Sequence, residues 1–288
     1  MSASVLYDAP GPKAKIRNRI YTVVGSAAIL GLLGVAIVRL ADKGHLAPEM
    51  WDIFNYAGIR QNIAEALVAT LKAFGLAAVG SLILGVILAV ARLSDHKAIS
   101  WLATGFIELF RSIPLLITIY AVWAGFLSDV PLWALAIGLS IYNGCVQAEV
   151  LRAGINSVPR GQSEAAYALG MSKTQVMVSV LIPQAVRAML PTIISQLVVT
   201  LKDTSLGFMI LYPELLNTAR LIASNTLVNG MYPYVSTIVV IGLLYIALCL
   251  LLSALATWIE KRGRRAKTGI TPTKEEPVPG AIGGGANL

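Results

Sequence analysis

The chain has 288 residues, of which 56% are hydrophobic and only 13% are charged. A soluble domain carries about 25% charged residues, so this composition excludes an ordinary soluble protein and favours a membrane protein. The formal net charge is +8, and in a membrane protein such an excess of Lys and Arg is tested first against the positive-inside rule, before nucleic acid is considered.

Six segments are long and apolar enough to cross a hydrocarbon core of ~30 Å. In chain order they are residues 20–40, 62–91, 98–127, 131–151, 186–211 and 234–259. The third contains Arg111, and the fifth contains Lys202 and Asp203. The second carries small residues at four-residue spacing, which predicts a smooth face for close helix packing, although small residues are common in membrane helices generally. They are Ala77, Ser81, Gly85 and Ala89.

With six spans, the Lys and Arg residues are concentrated on one face of the membrane. They cluster before the first span, at 92–97, around the connection between the fourth and fifth spans, and after the sixth span. Because cytoplasmic segments are enriched in Lys and Arg, this asymmetry predicts a multi-pass protein of the bacterial inner or plasma membrane with both termini cytoplasmic. It also accounts for the positive charge without a nucleic-acid partner.

The remaining segments define the predicted domain organisation. A cytoplasmic tail at 1–19 precedes an extra transmembrane helix at 20–40, and residues 62–259 form the core of the membrane domain. A cytoplasmic connection at 152–185 interrupts this core, and a basic and then disordered tail follows at 260–288. Residues 1–15 and those after Lys267 have the composition of disordered segments.

The connection after the fourth span has a helical pattern of its own. Residues 161–169 predict a short helix, and Gly170 suits the left-handed position that ends it. Ser172 and Gln175 have the spacing of a capping box, which predicts a second helix, and Pro183 ends or kinks that helix. Two helices joined by a glycine turn would project into the cytoplasm. An ordinary interfacial helix pair is the plainer alternative.

The residues of this connection resemble the EAA loop of ABC importer permeases. The match consists of Glu164-Ala165-Ala166, then Gly170, then Val180-Leu181-Ile182-Pro183. In that family the loop is the coupling element, and it docks in a groove on the ATPase subunit. The resemblance therefore implies that Glu164, Ala165, Ala166 and Gly170 contact an ATPase.

Three further stretches are similar to the polar amino acid permeases of that family. They are 108–116 (ELFRSIPLL), 148–155 (AEVLRAGI) and 201–206 (LKDTSL), and Pro213-Glu214-Leu215 follows as it does there. The resemblance covers residues 62–262, and the extra first span and basic tail are similar to those of some actinobacterial glutamate permease subunits. The fold implied is all-α and integral to the membrane: a type I ABC importer permease with a five-span core plus one extra N-terminal helix.

The same resemblance implies the partners. They are two ATPase subunits, a second permease subunit that is identical or related, an extracellular or periplasmic substrate-binding protein, and a polar amino acid substrate. The chain has no Gly-x-x-x-x-Gly-Lys-Ser/Thr phosphate loop, so we expect no cofactor and no ATP site in this chain, with ATP and Mg²⁺ bound by the ATPase subunits. A self-contained secondary transporter or channel is the alternative, but it leaves the coupling loop without a purpose. A membrane-embedded enzyme would need a catalytic constellation, which the sequence lacks.

Polar residues inside the spans predict the substrate site. Arg111 lies about halfway along its predicted span, and its guanidinium could hold a carboxylate through two hydrogen bonds. Glu149 is the candidate for the substrate ammonium, with pairing to Arg152 at i+3 as the alternative. The other candidates are Asn143, Gln147, Lys202, Asp203 and Thr204.

Two of these assignments have alternatives of their own. Ser140, Asn143 and Gln147 form a polar stripe that either lines the pathway or joins helices. Lys202 and Asp203 could simply neutralise each other, whereas Lys202 as a substrate partner would favour glutamate or aspartate over a basic amino acid.

Overall fold

The computed structural model describes residues 11–265, and side-chain environments are described as far as Trp258. Within this range the regular structure is helical. The main helices are α1 Pro12–Asp42, α2 Glu49–Asp52, α3 Ala57–Arg92, α4 Lys97–Ser112, α5 Leu115–Phe126, α6 Pro131–Ser157, α7 Arg160–Ala168, α8 Lys173–Gln175, α9 Ile182–Asp203, α10 Leu215–Asn225 and α11 Tyr234–Arg265. A π-helical segment, Val176–Leu181, joins α8 to α9, and a 3₁₀ helix, Thr204–Ile210, follows α9.

The described chain forms two compact units. Unit 1 extends to Lys72 and resumes over Gly207–Leu244, and unit 2 comprises Ala73–Leu206 and continues from Tyr245. Five helical stretches are long and apolar enough to cross a membrane, and the bent pair of α4 and α5 makes a sixth if it counts as one span. The prediction of an all-helical membrane protein with six spans is therefore confirmed when the bent pair is counted once.

The prediction that residues 98–127 form one continuous span is wrong. This segment is broken into α4 and α5, whose axes meet at 103°. Ile113 is extended (φ −82°, ψ 129°) and Pro114 caps α5. A proline disfavours helical geometry at the residue before it and has no N–H to continue the helix, so the chain turns here.

The limits of three other predicted segments also shift. Helix α1 begins at Pro12, within the predicted tail, because proline suits the first turn of a helix. Helix α11 continues through the basic residues to Arg265. The fifth span is α9 followed by the tighter 3₁₀ helix. The tails predicted to be disordered lie outside the described residues, apart from the start of α1.

The core of unit 2 is a close, parallel contact between α3 and α6. Residues 80 and 85 of α3 lie beside Ser140 and Gln147 of α6, so both numbers increase in the same direction. A Cβ added at Gly85 would lie 2.7 Å from the Cβ of Gln147 and 3.3 Å from the carbonyl of Gly144. The stripe predicted to pack closely is confirmed, because all four of its members are buried: Ala77, Ser81, Gly85 and Ala89.

In unit 1, two buried or half-buried hydrogen bonds join the start of α10 and the residues before it to the first part of α3. The hydroxyl of Tyr212 donates to the carbonyl of Ala69 at 2.9 Å, and the amide of Leu215 donates to Thr70 Oγ1 at 3.1 Å. Burial, and then the nearby Glu214 carboxylate, raise the pKa of Tyr212, so its hydroxyl stays protonated and keeps donating. The Glu214 carboxylate accepts from the amides of Leu216 and Asn217, both at 2.7 Å, and so caps α10.

Candidate functional site

Two residues of the predicted polar stripe of α6, Asn143 and Gln147, form hydrogen bonds with α9 inside unit 2. The Gln196 amide donates to Asn143 Oδ1 at 2.8 Å, and the Gln147 amide donates to the carbonyl of Ile193 at 3.3 Å. Asn143 is fully buried and Gln147 is 1% exposed. These two hydrogen bonds join α6 to α9.

One polar atom of this network lacks a hydrogen-bond partner in the described residues. Gln147 Oε1 is buried and has no hydrogen-bond partner among the described residues. A buried acceptor without a donor costs about 1–3 kcal/mol. It is therefore the atom of the α6–α9 contact with unused capacity to accept a hydrogen bond.

Glu149 pairs with two arginines. One carboxylate oxygen is 2.9 Å from the Arg152 guanidinium, and the other contacts Arg92 at the end of α3. Arg92 also lies 3.6 Å from Glu108 of α4. The predicted Glu149–Arg152 pair is confirmed, and Arg92 is a partner that the sequence did not identify, because it lies 57 residues away along the chain.

Arg111 lies in the last turn of α4, two residues before the Ile113–Pro114 bend, and its side chain is exposed. Because the span is not a straight helix, counting residues from its start does not give the depth of Arg111 in the bilayer. Among the described residues Arg111 forms no ion pair. Its guanidinium is thus available beside a stretch of non-helical backbone.

Lys202, Asp203 and Thr204 lie where α9 passes into the 3₁₀ helix. Lys202 is exposed, Asp203 is half-buried, and Thr204 is buried with its hydroxyl donating to the carbonyl of Leu201 at 2.7 Å. No direct ion pair joins Lys202 to Asp203 in the part of the chain that the structure describes. Lys202 and Asp203 interact electrostatically without a direct ion pair in the described residues.

The structure brings together only part of the predicted substrate set. Asn143 and Gln147 share the α6–α9 network with Gln196, which the sequence analysis missed. The signal was present, since Gln196 is an amide inside an otherwise apolar span. Glu149 belongs instead to the ion-pair cluster with Arg92, and no described hydrogen bond or ion pair connects Arg111 to Lys202. Hydrogen bonds and ion pairs of the described residues therefore leave the predicted set in four parts: the α6–α9 network, the Glu149 cluster, Arg111, and residues 202–204.

The predicted coupling segment is a helix, a glycine turn and a second helix. Gly170 has φ +78°, the left-handed conformation expected of it. The capping box is confirmed: the Ser172 amide donates to Gln175 Oε1 at 2.8 Å, and the Gln175 amide donates to Ser172 Oγ at 3.4 Å.

The second helix does not end at Pro183. Its turns widen first, and the Ile182 amide donates to the carbonyl of Met177 five residues back. A proline ring collides with the carbonyl four residues before it, and π-turns are one way in which helices accommodate such a break. Pro183 is then taken into the first turn of α9. The coupling segment is consequently joined to α9, and hence to Gln196 and Lys202, by helical backbone.

The predicted contact residues of this segment are not equally accessible. Glu164, Ala165 and Gly170 are exposed, whereas Ala166 is 5% exposed. The helix α7 packs against the π-helical segment, where Val176 is also buried. The surface available to a partner therefore comprises Glu164, Ala165 and Gly170. Among the described residues, no group of three or more His, Cys, Asp or Glu residues could hold a metal ion.

Comparisons with known proteins agree with this arrangement. Residues 81–265 match the family described as the inner membrane component of binding-protein-dependent transport systems. The chain is 38% identical over 252 residues to the glutamate transport system permease protein GluD of Corynebacterium glutamicum, a match that covers 84% of this chain and 90% of the relative. It is 34% identical over 212 residues to the glutamate/aspartate import permease protein GltK of Escherichia coli, covering 69% and 92%.

Solved structures show a similar fold. The crystal structure of an amino acid ABC transporter with histidines superposes with a TM-score of 0.65 at 30% identity, covering 70% of this chain and 94% of that one. An inward-facing structure of the MetNI methionine ABC transporter superposes with a TM-score of 0.54 at 20% identity. At that identity the second likeness concerns the fold alone.

Proposed function

Because the chain belongs to the family of inner membrane components of binding-protein-dependent transport systems, we propose that it is the permease subunit of an ATP-driven importer of glutamate or a related acidic or amide amino acid. The observation that carries this proposal is the 38% identity to a glutamate permease over 84% of the chain. The exposed coupling segment adds support, since an importer without an ATPase partner has no use for it.

The proposed complex contains two ATPase subunits, a second permease subunit and an extracellular binding protein. The ATPase subunits bind ATP and Mg²⁺, and this chain supplies the pathway. We propose that both termini are cytoplasmic, as the asymmetry of Lys and Arg residues favours. The ion pair of Lys173 with Asp95 fits this orientation, because six spans put the connection at 93–96 and the coupling segment on one side.

The substrate site is proposed around Arg111, with Asn143, Gln147, Lys202, Asp203 and Thr204 as further contacts. Arg111 is exposed beside extended backbone at Ile113, where its guanidinium can face a water-filled path. The free Oε1 of Gln147 could accept from the substrate ammonium. Glu149 already pairs with two guanidinium groups, so we assign it to holding α3, α4 and α6 together.

The test is uptake of labelled glutamate by the complete complex in proteoliposomes with its binding protein. Arg111→Lys should reduce uptake at least about tenfold, because an ammonium cannot replace a bidentate guanidinium contact worth about 1.5–3 kcal/mol. Arg39→Lys, an exposed arginine of α1, is the matched control and should transport normally. Both variants should assemble with the ATPase subunits.

Three outcomes would contradict parts of this proposal. Normal uptake by Arg111→Lys would exclude Arg111 from the site, and loss of assembly would make its role structural. Uptake by the original protein without ATP or without the binding protein would favour a self-contained transporter.

A further inference from the structure

Helix α3 is longer than a membrane requires. Its 36 residues extend about 54 Å at 1.5 Å per residue, whereas the hydrocarbon core is ~30 Å thick. Its carboxyl end carries Arg92, beside the connection that pairs with the coupling segment. With the six spans and cytoplasmic termini of the proposed function, the first third of this helix, which includes Asn62 and Glu65, begins on the outer side of the membrane.

A groove with a mixed polar and apolar lining lies along the first part of α3. It has a volume of about 480 Å³ and is enclosed by one face of α3 and by α10. Its polar lining residues are Asn62, Glu65, Thr218, Asn225 and Thr226, and the rest of its lining is apolar. These residues all belong to unit 1.

The walls of the groove are held in place by the hydrogen bonds already described in unit 1. Tyr212 and Leu215 attach the α10 side to Ala69 and Thr70 of α3. These contacts are buried or half-buried, and Glu214 caps α10 with two further bonds. The groove is therefore formed before any partner binds, as is usual for recognition sites.

Glu65 provides the charge of this groove. It is the one charged residue among those that line it, and in the described part of the chain it forms no ion pair. Its contact is a 2.9 Å hydrogen bond from the Gln61 amide. We propose that the groove receives a Lys or Arg side chain of the substrate-binding protein on the outer face. This inference rests on the proposed function.

Charge decides between the binding protein and free substrate as the occupant. An amino acid carries a carboxylate as well as an ammonium, and glutamate carries two. Glu65 repels these groups, and no cation among the lining residues could hold them. A Lys or Arg side chain presented by a protein brings only the positive charge, with amides and hydroxyls around it to accept further hydrogen bonds.

The test measures binding of the substrate-loaded binding protein to the complete complex in nanodiscs. Glu65→Gln should raise the Kd about fivefold, as for an exposed ion pair, and Glu65→Lys about tenfold or more, because it adds like-charge repulsion. Both should reduce the salt dependence of Kd. Glu49→Gln and Glu49→Lys make the same charge changes at an exposed residue of α2 outside the groove and should leave Kd unchanged.

A second pair of variants fills the groove without changing charge. Asn225→Trp is directed into the groove from α10 and should also weaken binding, whereas Ser224→Trp, next to it and not among the lining residues, should not. Melting temperatures of the purified complexes show that each variant is folded. Reversing the charge of one basic residue of the binding protein should restore binding to Glu65→Lys.

The groove proposal is overturned if the Glu65 variants bind as well as the Glu49 variants. It is also overturned if they instead prevent the two permease subunits from assembling, which would make the groove a subunit contact. If the binding protein neither binds nor stimulates the original complex, the proposed function fails. The two failures are thus distinguishable.

Discussion

The α3–α6 contact and the coupling segment both contain glycine, but the glycines have opposite surroundings. At Gly85 in the α3–α6 contact, an added Cβ would lie 2.7 Å from another side chain. At Gly161 and Gly170 in the coupling segment, it would meet nothing within 4 Å. In the first region the small residue is required by this chain's own packing. In the second, this chain's own packing does not require the small residue.

This difference predicts where a substitution will have its effect. Changes in the α3–α6 contact should appear as lost stability of the permease itself, since close packing drives helix association in membranes. Changes on the coupling surface should leave the permease folded and appear only when the ATPase is present.

The largest effect on the permease is expected for Gly85→Ala. The new Cβ lies 2.7 Å from the Cβ of Gln147 and 3.3 Å from the carbonyl of Gly144, so α3 and α6 must move apart at a cost of about 1–3 kcal/mol. Gly75→Ala, on the same helix with nothing within 4 Å, is the control and should be neutral or slightly stabilising. Thermal melting of the two detergent-purified variants measures the difference, and equal melting temperatures would show that the α3–α6 contact is loose.

An intermediate effect is expected for Gly170→Val. With φ at +78°, a β-branched residue costs about 1–2 kcal/mol, and this strain should reorient the turn between α7 and α8 while the spans still insert. We expect less transport per ATP hydrolysed, or failure of the ATPase to co-purify. Gly161→Val places the same side chain in α7 without positive φ and is the comparison. If Gly170→Val co-purifies with the ATPase and transports normally, the segment is not the coupling element.

The features that the sequence predicted correctly are those whose geometry is determined by residues close together in the sequence. The glycine turn at 170, the capping box at Ser172 and the small-residue face of α3 each depend on a few positions within one element. Their physical causes, such as the freedom of glycine at positive φ, act locally. These features could therefore be recognised without a structure.

The features that sequence missed depend on distant partners. The Arg92–Glu149 pair joins residues far apart in the chain, and Gln196 becomes informative only when α9 is seen beside Asn143. Pro114 marks the break in the third span, but the size of the bend, 103°, does not follow from the proline alone. Ala166 belongs to a motif of exposed residues, yet it is buried because α7 lies on the π-helical segment.

The smallest effect on the permease is expected at Ala165, and its neighbour Ala166 provides the control. Ala165 is exposed, so Ala165→Leu should change the melting temperature of the purified permease very little, by analogy with other surface substitutions of about ±0.5 kcal/mol. The same change at Ala166, which is 5% exposed, should overpack the contact of α7 with the π-helical segment and cost about 1–3 kcal/mol.

Pull-down of the ATPase by each of these two variants completes the test. The Ala165→Leu permease should fail to bind the ATPase while remaining fully folded, because the larger leucine side chain occupies the surface where the partner must dock. Retention of the ATPase by a stable Ala165→Leu permease would place the docking surface elsewhere on the segment.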